Sequence, residues 1–281
     1  MTHFNLLHCI PNPRLHGLNG YREVIETIAW GLRELGNEVS LSKNRHEPSA
    51  TNIIFGAQVL PVDQLRGLPK NSIVYNFEPM RGLSPTQVRP GVHFIARNFK
   101  IWDYSRDNLP VWSSLGNDTA RAVPVAFAPV LQRIPRASEQ DIDVLMYGLS
   151  GEMRVKAFHM LTMVGLCTVF ICGLYGEARD QLIARSKIVL NVNLYAFSKI
   201  FEIVRVSYLL ANRKAVVAVV DDQTAVDPEL HGGIRFTSLE KLVPACIELV
   251  DSEQARRSIE EAGFEIFSKR KVVPILAEAL R

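Results

Sequence analysis

Short apolar runs alternate with longer amphipathic stretches from one end of the chain to the other. Residues 4–10 form the first apolar run and predict a strand. A polar segment with Gly17, Asn19 and Gly20 follows. Val24, Ile28 and Leu32 then recur at helical spacing and predict a helix over about 21–35. Gly36 ends it, and 38–41 reads as a returning strand. Residues 52–55, 72–76, 93–96 and 100–104 predict further strands, the last ending on Asp103-Tyr104-Ser105. Such alternation argues for a parallel sheet covered by helices.

The character changes over 122–139, where Pro124, Pro129 and Pro135 interrupt any helical pattern. Residues 124–138 read as a crossing between two lobes. Beyond it the pattern restarts, with strands expected at 143–147, 168–172, 187–190, 215–220 and 234–236. Helices are expected at 154–164, 178–186, 199–212, 239–251 and 253–267. A last helix over about 272–280 follows the basic Lys269-Arg270-Lys271. The expected organisation is a first Rossmann-like lobe over 1–130, a second over 131–270, and a C-terminal helix over 271–281 packing back on the first. Loops at the carboxyl ends of both sheets would then face each other across a cleft.

The most informative stretch is 187–220. The run Ile188-Val189-Leu190 ends at Asn191, and polar Asn193 and Tyr195 follow. Ser198 is expected to open a helix with Phe201, Val204, Tyr208 and Leu209 on one face and Glu202 and Arg205 on another. A polar loop at a strand's carboxyl end, leading into a helix with a carboxylate, is where open α/β sheets bind ligands.

Composition narrows the classes. The chain has 281 residues, 47% hydrophobic and 22% charged, with a formal net charge of +3. That balance suits an anionic ligand such as a nucleotide, and lacks the concentrated basic patch of a nucleic-acid binder. Cys9, Cys167, Cys172 and Cys246 are scattered, without C-x-x-C or zinc spacing, and read as reduced thiols of a cytoplasmic protein. The opening MTHFNLLHCIPNP has no basic n-region and reads as a strand rather than a signal peptide. No apolar run approaches the ~18 residues of a membrane span, so any membrane contact would be peripheral, at the inner face.

Candidate chemistry lies at the strand ends. Gly148-Leu149-Ser150-Gly151 precedes a helix with Arg154, where a glycine turn lets backbone N–H groups approach a phosphate and Arg154 adds charge. Ser198 and Lys199 at the expected helix start can hold a diphosphate, and Ser198 can equally be an N-cap. Glu202 can accept hydrogen bonds from ribose or sugar hydroxyls or pair with Arg205, and Arg205 can instead reach a phosphate. Asp103 and Glu78 are equal candidates for acid or base, each ending a strand, and His16 is a third. Asp141-Ile142-Asp143 precedes its strand, the wrong side for a D-x-D metal site, and reads as a solvated linker. No metal site and no cofactor are expected.

Three segments carry a family resemblance. They are Trp102-Asp103-Tyr104-Ser105-Arg106-Asp107-Asn108, then Val123-Pro124-Val125, and Phe201-Glu202 through Arg205 with Leu210-Ala211-Asn212 and Val216-Val217. Together they resemble the glycosyltransferases of the GT-B fold, in the bacterial group 1 and CgeB-like branch. The resemblance implies metal-independent transfer of a sugar from a nucleoside-diphosphate sugar to an acceptor hydroxyl. It places the donor in the second lobe, with Gly17, Asn19 and Gly20 facing its phosphates. A glycan, a protein or a small molecule is the implied acceptor, with polysaccharide biosynthesis as the setting. The paired glutamates of retaining members, E-x7-E, are replaced here by Ile200 and Tyr208, with Glu202 between. That departure motivates an alternative, a catalytically inactive paralogue that binds a sugar nucleotide or glycan. A nicotinamide-dependent oxidoreductase ranks below both, since residues 4–21 lack G-x-G-x-x-G.

Overall fold

The computed structural model describes residues 1–12, 14, 16–195 and 197–281, with the side chain of residue 16 outside the description. The chain divides into two compact units, residues 1–128 with 271–281, and residues 129–270.

In the first unit, strands and helices alternate as the apolar pattern predicts. β1 (His3–His8), α1 (Arg22–Glu34), β2 (Glu38–Lys43), β3 (Thr51–Phe55), α2 (Val62–Arg66), β4 (Ile73–Asn76), α3 (Pro90–Asn98), β5 (Lys100–Asp103), α4 (Leu109–Ser114) and β6 (Arg121–Ala122) follow in turn. The strands form one sheet in the order β2-β1-β3-β4-β5-β6, with parallel pairing throughout. Ile53, Ile54 and Phe55 in β3 are fully buried, as an inner strand of a parallel sheet requires. Residues 93–96, expected as a strand, belong instead to α3. Pro90 occupies its first turn, where the missing N–H costs nothing, and Val92, Ile95 and Ala96 bury one helical face.

The second unit holds β7 (Ile142–Tyr147), α5 (Glu152–Met163), β8 (Thr168–Ile171), α6 (Glu177–Arg185), β9 (Ser186–Val192), α7 (Ile203–Ala211), β10 (Ala215–Val219), β11 (Arg235–Thr237), α8 (Leu242–Asp251) and α9 (Glu253–Lys269). Its parallel sheet runs β11-β10-β9-β7-β8. Helix α7 starts five residues later than Ser198, with Glu202 at its N-cap position. Residues 199–201 are drawn off the helix by backbone pairing. The Ala225 N–H donates to Lys199 O at 2.8 Å, and the Phe201 N–H donates to Ala225 O at 3.0 Å.

The last helix, α10 (Val272–Ala279), belongs to the first unit. The Val272 N–H donates to Phe127 O at 3.1 Å, and the helix lies on α1 at Gly31. A Cβ on Gly31 would stand 2.8 Å from Leu276 Cδ1 and 2.9 Å from Val272 Cγ1, so the close approach needs glycine there.

Asp103, expected as a catalytic acid or base, is a buried structural hub. It has no exposed surface, and its carboxylate accepts from Trp112 Nε1 (2.7 Å), Asn76 Nδ2 (2.8 Å), Asn108 Nδ2 (2.9 Å) and the Ser105 N–H (2.9 Å). Four donors fill the roughly four acceptor positions of a carboxylate and leave none for a substrate proton. Burial pushes its carboxyl up to about 6, against the opposing pull of these hydrogen bonds.

Two outcomes follow. Gly31→Leu is expected to destabilise the first unit by about 1–3 kcal/mol through overpacking against α10, read from urea unfolding. For Asp103, the folded state keeps a proton that the unfolded chain releases between about pH 4 and about pH 6. Its contribution to stability therefore falls as pH rises through that window. Asp103→Asn is expected to abolish that component and, by orphaning buried donors, to cost about 1–3 kcal/mol at pH 7. Identical pH dependence of the urea midpoint in wild type and variant would disprove the assignment.

Candidate functional site

At the carboxyl edge of the second unit's sheet, β7 ends at Tyr147 and the backbone turns at Gly148, whose φ is +127°. A Cβ there would meet an Arg205 Nη at 2.9 Å and an Arg154 Nη at 3.0 Å. Glycine thus lets two guanidinium groups close over the turn.

Arg154, from α5, is only 2% exposed. Its Nε donates to Val192 O (2.8 Å) and one Nη to Leu149 O (2.8 Å). The other Nη donates to both Glu202 oxygens, at 3.0 and 2.9 Å. Glu202 also accepts from the Leu194 N–H at 3.1 Å and pairs with Arg205 at 3.1 Å. Its position at the amino end of α7 adds a favourable interaction with the helix dipole. The carboxylate is therefore committed to holding two guanidiniums. Of the two roles expected for Glu202, the pairing with Arg205 is the one these contacts occupy. Burial, with the charge of Arg205, lowers the Arg154 pKa to about 10, which leaves it cationic at neutral pH.

Arg205 is half-buried and lies over the Tyr147 ring at 5.5 Å. Tyr147 is shared, since Arg179 of α6 lies 5.7 Å from its centroid and 4.8 Å from that of Tyr208. Tyr208, which stands where E-x7-E would place a glutamate, is buried; its hydroxyl donates to Asp180 (2.7 Å) and accepts from Arg133 Nε (2.9 Å).

The other expected donor-side residues divide. Ser198 is buried, and Lys199 pairs with Asp221 at 2.6 Å. Neither sits at a helix amino terminus, because α7 starts at Ile203, so no helix dipole favours a diphosphate at these two residues. Tyr195 is exposed and stacks on exposed Phe197 with centroids 4.9 Å apart and planes 10° apart. Asn191 is fully buried in β9, in register with Ala218, and neither of its side-chain polar atoms has a partner among the described residues.

In the first unit, Glu78 follows β4 and is exposed. It accepts from Tyr21 Oη (3.1 Å) and Gln58 Nε2 (2.9 Å). Its backbone is clamped by the network around Asp103. Asn76 Nδ2 and Asn108 Nδ2 both donate to Glu78 O, and the Glu78 N–H donates to Asn76 Oδ1. The Trp102–Asn108 motif thus supports the Glu78 loop. Gly17, Asn19 and Gly20 lie half-buried in a short 3-10 segment, His16–Tyr21, beyond the carboxyl end of β1. The expectation for His16 as a base rests on a side chain outside the described residues.

Sequence reasoning missed Tyr21, Gln58, Asn76, Asn108, Tyr147 and Arg179. Tyr147 carried a local signal, as the last strand residue before a glycine turn, and Asn108 closes the Trp102–Asn108 segment, five positions from its partner Asp103. The rest are selected by partners far away in sequence.

Among the described residues, no group of three or more His, Cys, Asp or Glu side chains is placed to hold a metal ion, and no helix is long and apolar enough to cross a membrane. No protein-family model matches the sequence, and no curated protein matches it. Solved structures do. AviGT4, a glycosyltransferase involved in avilamycin A biosynthesis, aligns with a TM-score of 0.60 at 16% identity, covering 100% of this chain and 96% of its own. Anabaena HepE in complex with UDP and glucose aligns at 0.63 and 13% identity, covering 100% and 99%. Sucrose-phosphate synthase from Thermosynechococcus elongatus aligns at 0.61 and 10% identity, covering 100% and 98%. At such identities the likeness is one of fold. The chain has the GT-B fold of these glycosyltransferases, built from two parallel-sheet Rossmann-like units.

Proposed function

We propose that the protein transfers a sugar from a nucleoside-diphosphate sugar to an acceptor hydroxyl. The observation that carries this reading is the Arg154–Glu202–Arg205 cluster closed over Gly148 at the carboxyl edge of β7 and β9. It supplies oriented positive charge at the place where parallel α/β sheets take their ligands. The GT-B fold, and UDP and UDP-glucose bound to HepE, support a nucleotide-sugar donor.

Arg205 faces the diphosphate while Arg154, through Glu202, fixes its position. As the bond between the anomeric carbon and the diphosphate breaks, its electron pair moves to the leaving phosphate oxygen. Fixed guanidinium charge stabilises that oxygen without reorganisation. The acceptor oxygen bonds to the anomeric carbon, and its proton passes to a carboxylate. Glu78 is the proposed base: it is exposed, held by Tyr21 and Gln58, and carried on a clamped backbone. Charge neutralisation by arginine is the basis for proposing that no metal is required.

Thermal-shift titration with UDP, GDP, ADP, CMP and dTDP, with magnesium or with EDTA, tests the donor site. One nucleoside diphosphate is expected to raise the melting temperature equally in both conditions. Arg205→Gln is expected to weaken that ligand about tenfold or more while the variant remains folded. Unchanged affinity in Arg205→Gln would remove Arg205 from the site. Glu78→Gln is expected to retain nucleotide binding and to lose about 100-fold or more in transfer. Transfer at the wild-type rate would exclude Glu78 as the base. Binding without transfer or hydrolysis across an acceptor panel would favour the inactive, ligand-binding paralogue.

A further inference from the structure

A second cluster of charged side chains lies in the same unit, at the opposite end of α7. Glu202 and Arg205 mark the amino end of this helix; Asn212 and Arg213 follow its carboxyl end and lead into β10. The helix has nine residues, so the two ends are about 13 Å apart. Beside the carboxyl end is a cavity of about 500 Å³, within the range of small-molecule sites. Arg133, Arg136, Arg213, Lys214 and Arg257 line it. Among the described residues, two carboxylates, Glu260 and Glu261, share that lining.

The cavity is built rather than incidental. Its floor is pinned by Asn212, whose Oδ1 accepts from the Arg133 and Ile134 N–H groups, both at 2.8 Å. Its Nδ2 donates to Leu131 O (2.9 Å) and Tyr208 O (2.8 Å). This fixes residues 131–134 against α7. Lys214 is 3% exposed and makes one hydrogen bond, to Ala184 O at 3.3 Å. An ammonium has three donors, so two have no partner among the described residues. Burial pushes its pKa down to about 8, and Arg136 adds to that shift while Glu260 opposes it. Arg136 pairs with Glu260 at 3.1 Å and with Glu253 at 3.7 Å, and Arg213 pairs with Glu261 at 3.1 Å. Arg257 pairs with Glu253 at 2.7 Å and Arg133 lies 4.0 Å from Asp180, so the four guanidiniums are held in place by carboxylates and Lys214 is the cation of the lining without one among the described residues.

We propose that this cavity binds a small ligand carrying a diphosphate, at a site separate from the Arg154–Glu202–Arg205 cluster. Three arguments select that class. Five cationic side chains gather at one cavity, which suits an anion of several oxygens, such as a diphosphate, better than a single carboxylate. The guanidinium groups in the lining match planar, bidentate recognition of phosphate oxygens. A buried ammonium with spare donors gains most from an anion that shares its desolvated position.

Isothermal titration of the full-length chain with inorganic pyrophosphate tests this. Wild type is expected to take up two equivalents. The double variant Arg136→Gln/Arg257→Gln is expected to lose one of them, or to bind it at least tenfold more weakly, and Arg213→Gln is expected to weaken the same one. Both arginines of the double variant reach the surface, and a thermal melt identifies any variant that has unfolded. Arg205→Gln is expected to retain the equivalent that the double variant loses. Full wild-type binding by a folded Arg136→Gln/Arg257→Gln variant would overturn the proposal, as would loss of all binding in Arg205→Gln. Retention of the cavity equivalent with no Arg205-dependent equivalent would sustain the cavity while counting against the donor site.

Discussion

The guanidinium of Arg154 sets the terms for the second unit. A charge with almost no contact with water is stable only when acceptors surround it. Those acceptors come from three separate segments: the turn after β7, the end of β9 and the start of α7. Desolvation therefore holds the carboxyl edge of the sheet in one arrangement. Taking away Glu202 would leave the buried Arg154 without its carboxylate, whereas Glu202 would keep Arg205 if Arg154 were removed, so the first loss is the more costly. The geometry that positions Arg205 thus belongs to the fold itself, and the two cannot be altered independently.

The first unit solves the same problem with the opposite sign. Asp103 is the buried charge, and Trp112, Asn76, Asn108 and the Ser105 backbone surround it. In each unit the buried ion faces inward and an adjacent ionic side chain faces out, Arg205 in one and Glu78 in the other. A rigid interior group beside an outward-facing ionic side chain fixes the position of that neighbour through the hydrogen bonds they share with the surrounding backbone.

Much of the architecture was legible because hydrophobic period is a local property. The alternation of runs such as 52–55 and 215–220 with amphipathic stretches located the strands of both sheets. The misreadings have non-local causes. Residues 93–96 look like a strand until Pro90 starts a helix whose apolar face meets the core. Ser198 looks like an N-cap, and the helix moves to 203 because residues 199–201 find backbone partners at 225. Asp103 looks like an acid or base and Glu202 like a donor-binding carboxylate, and each is held by donors elsewhere, Asn76 lying 27 positions from Asp103 and Arg154 48 from Glu202. Residue type announces that a charge is present. Only packing decides whether it faces a ligand or another residue.

The place of α10 separates the order in which this chain is made from the order in which its parts can be finished. Domains generally fold as units during synthesis, amino-terminal first. Here the surface of α1 around Gly31 waits for Val272 and Leu276, which emerge from the ribosome after the whole of the second unit. Part of the unit translated earlier therefore closes only after the second unit has been made, and the turns of α10 act as its latch.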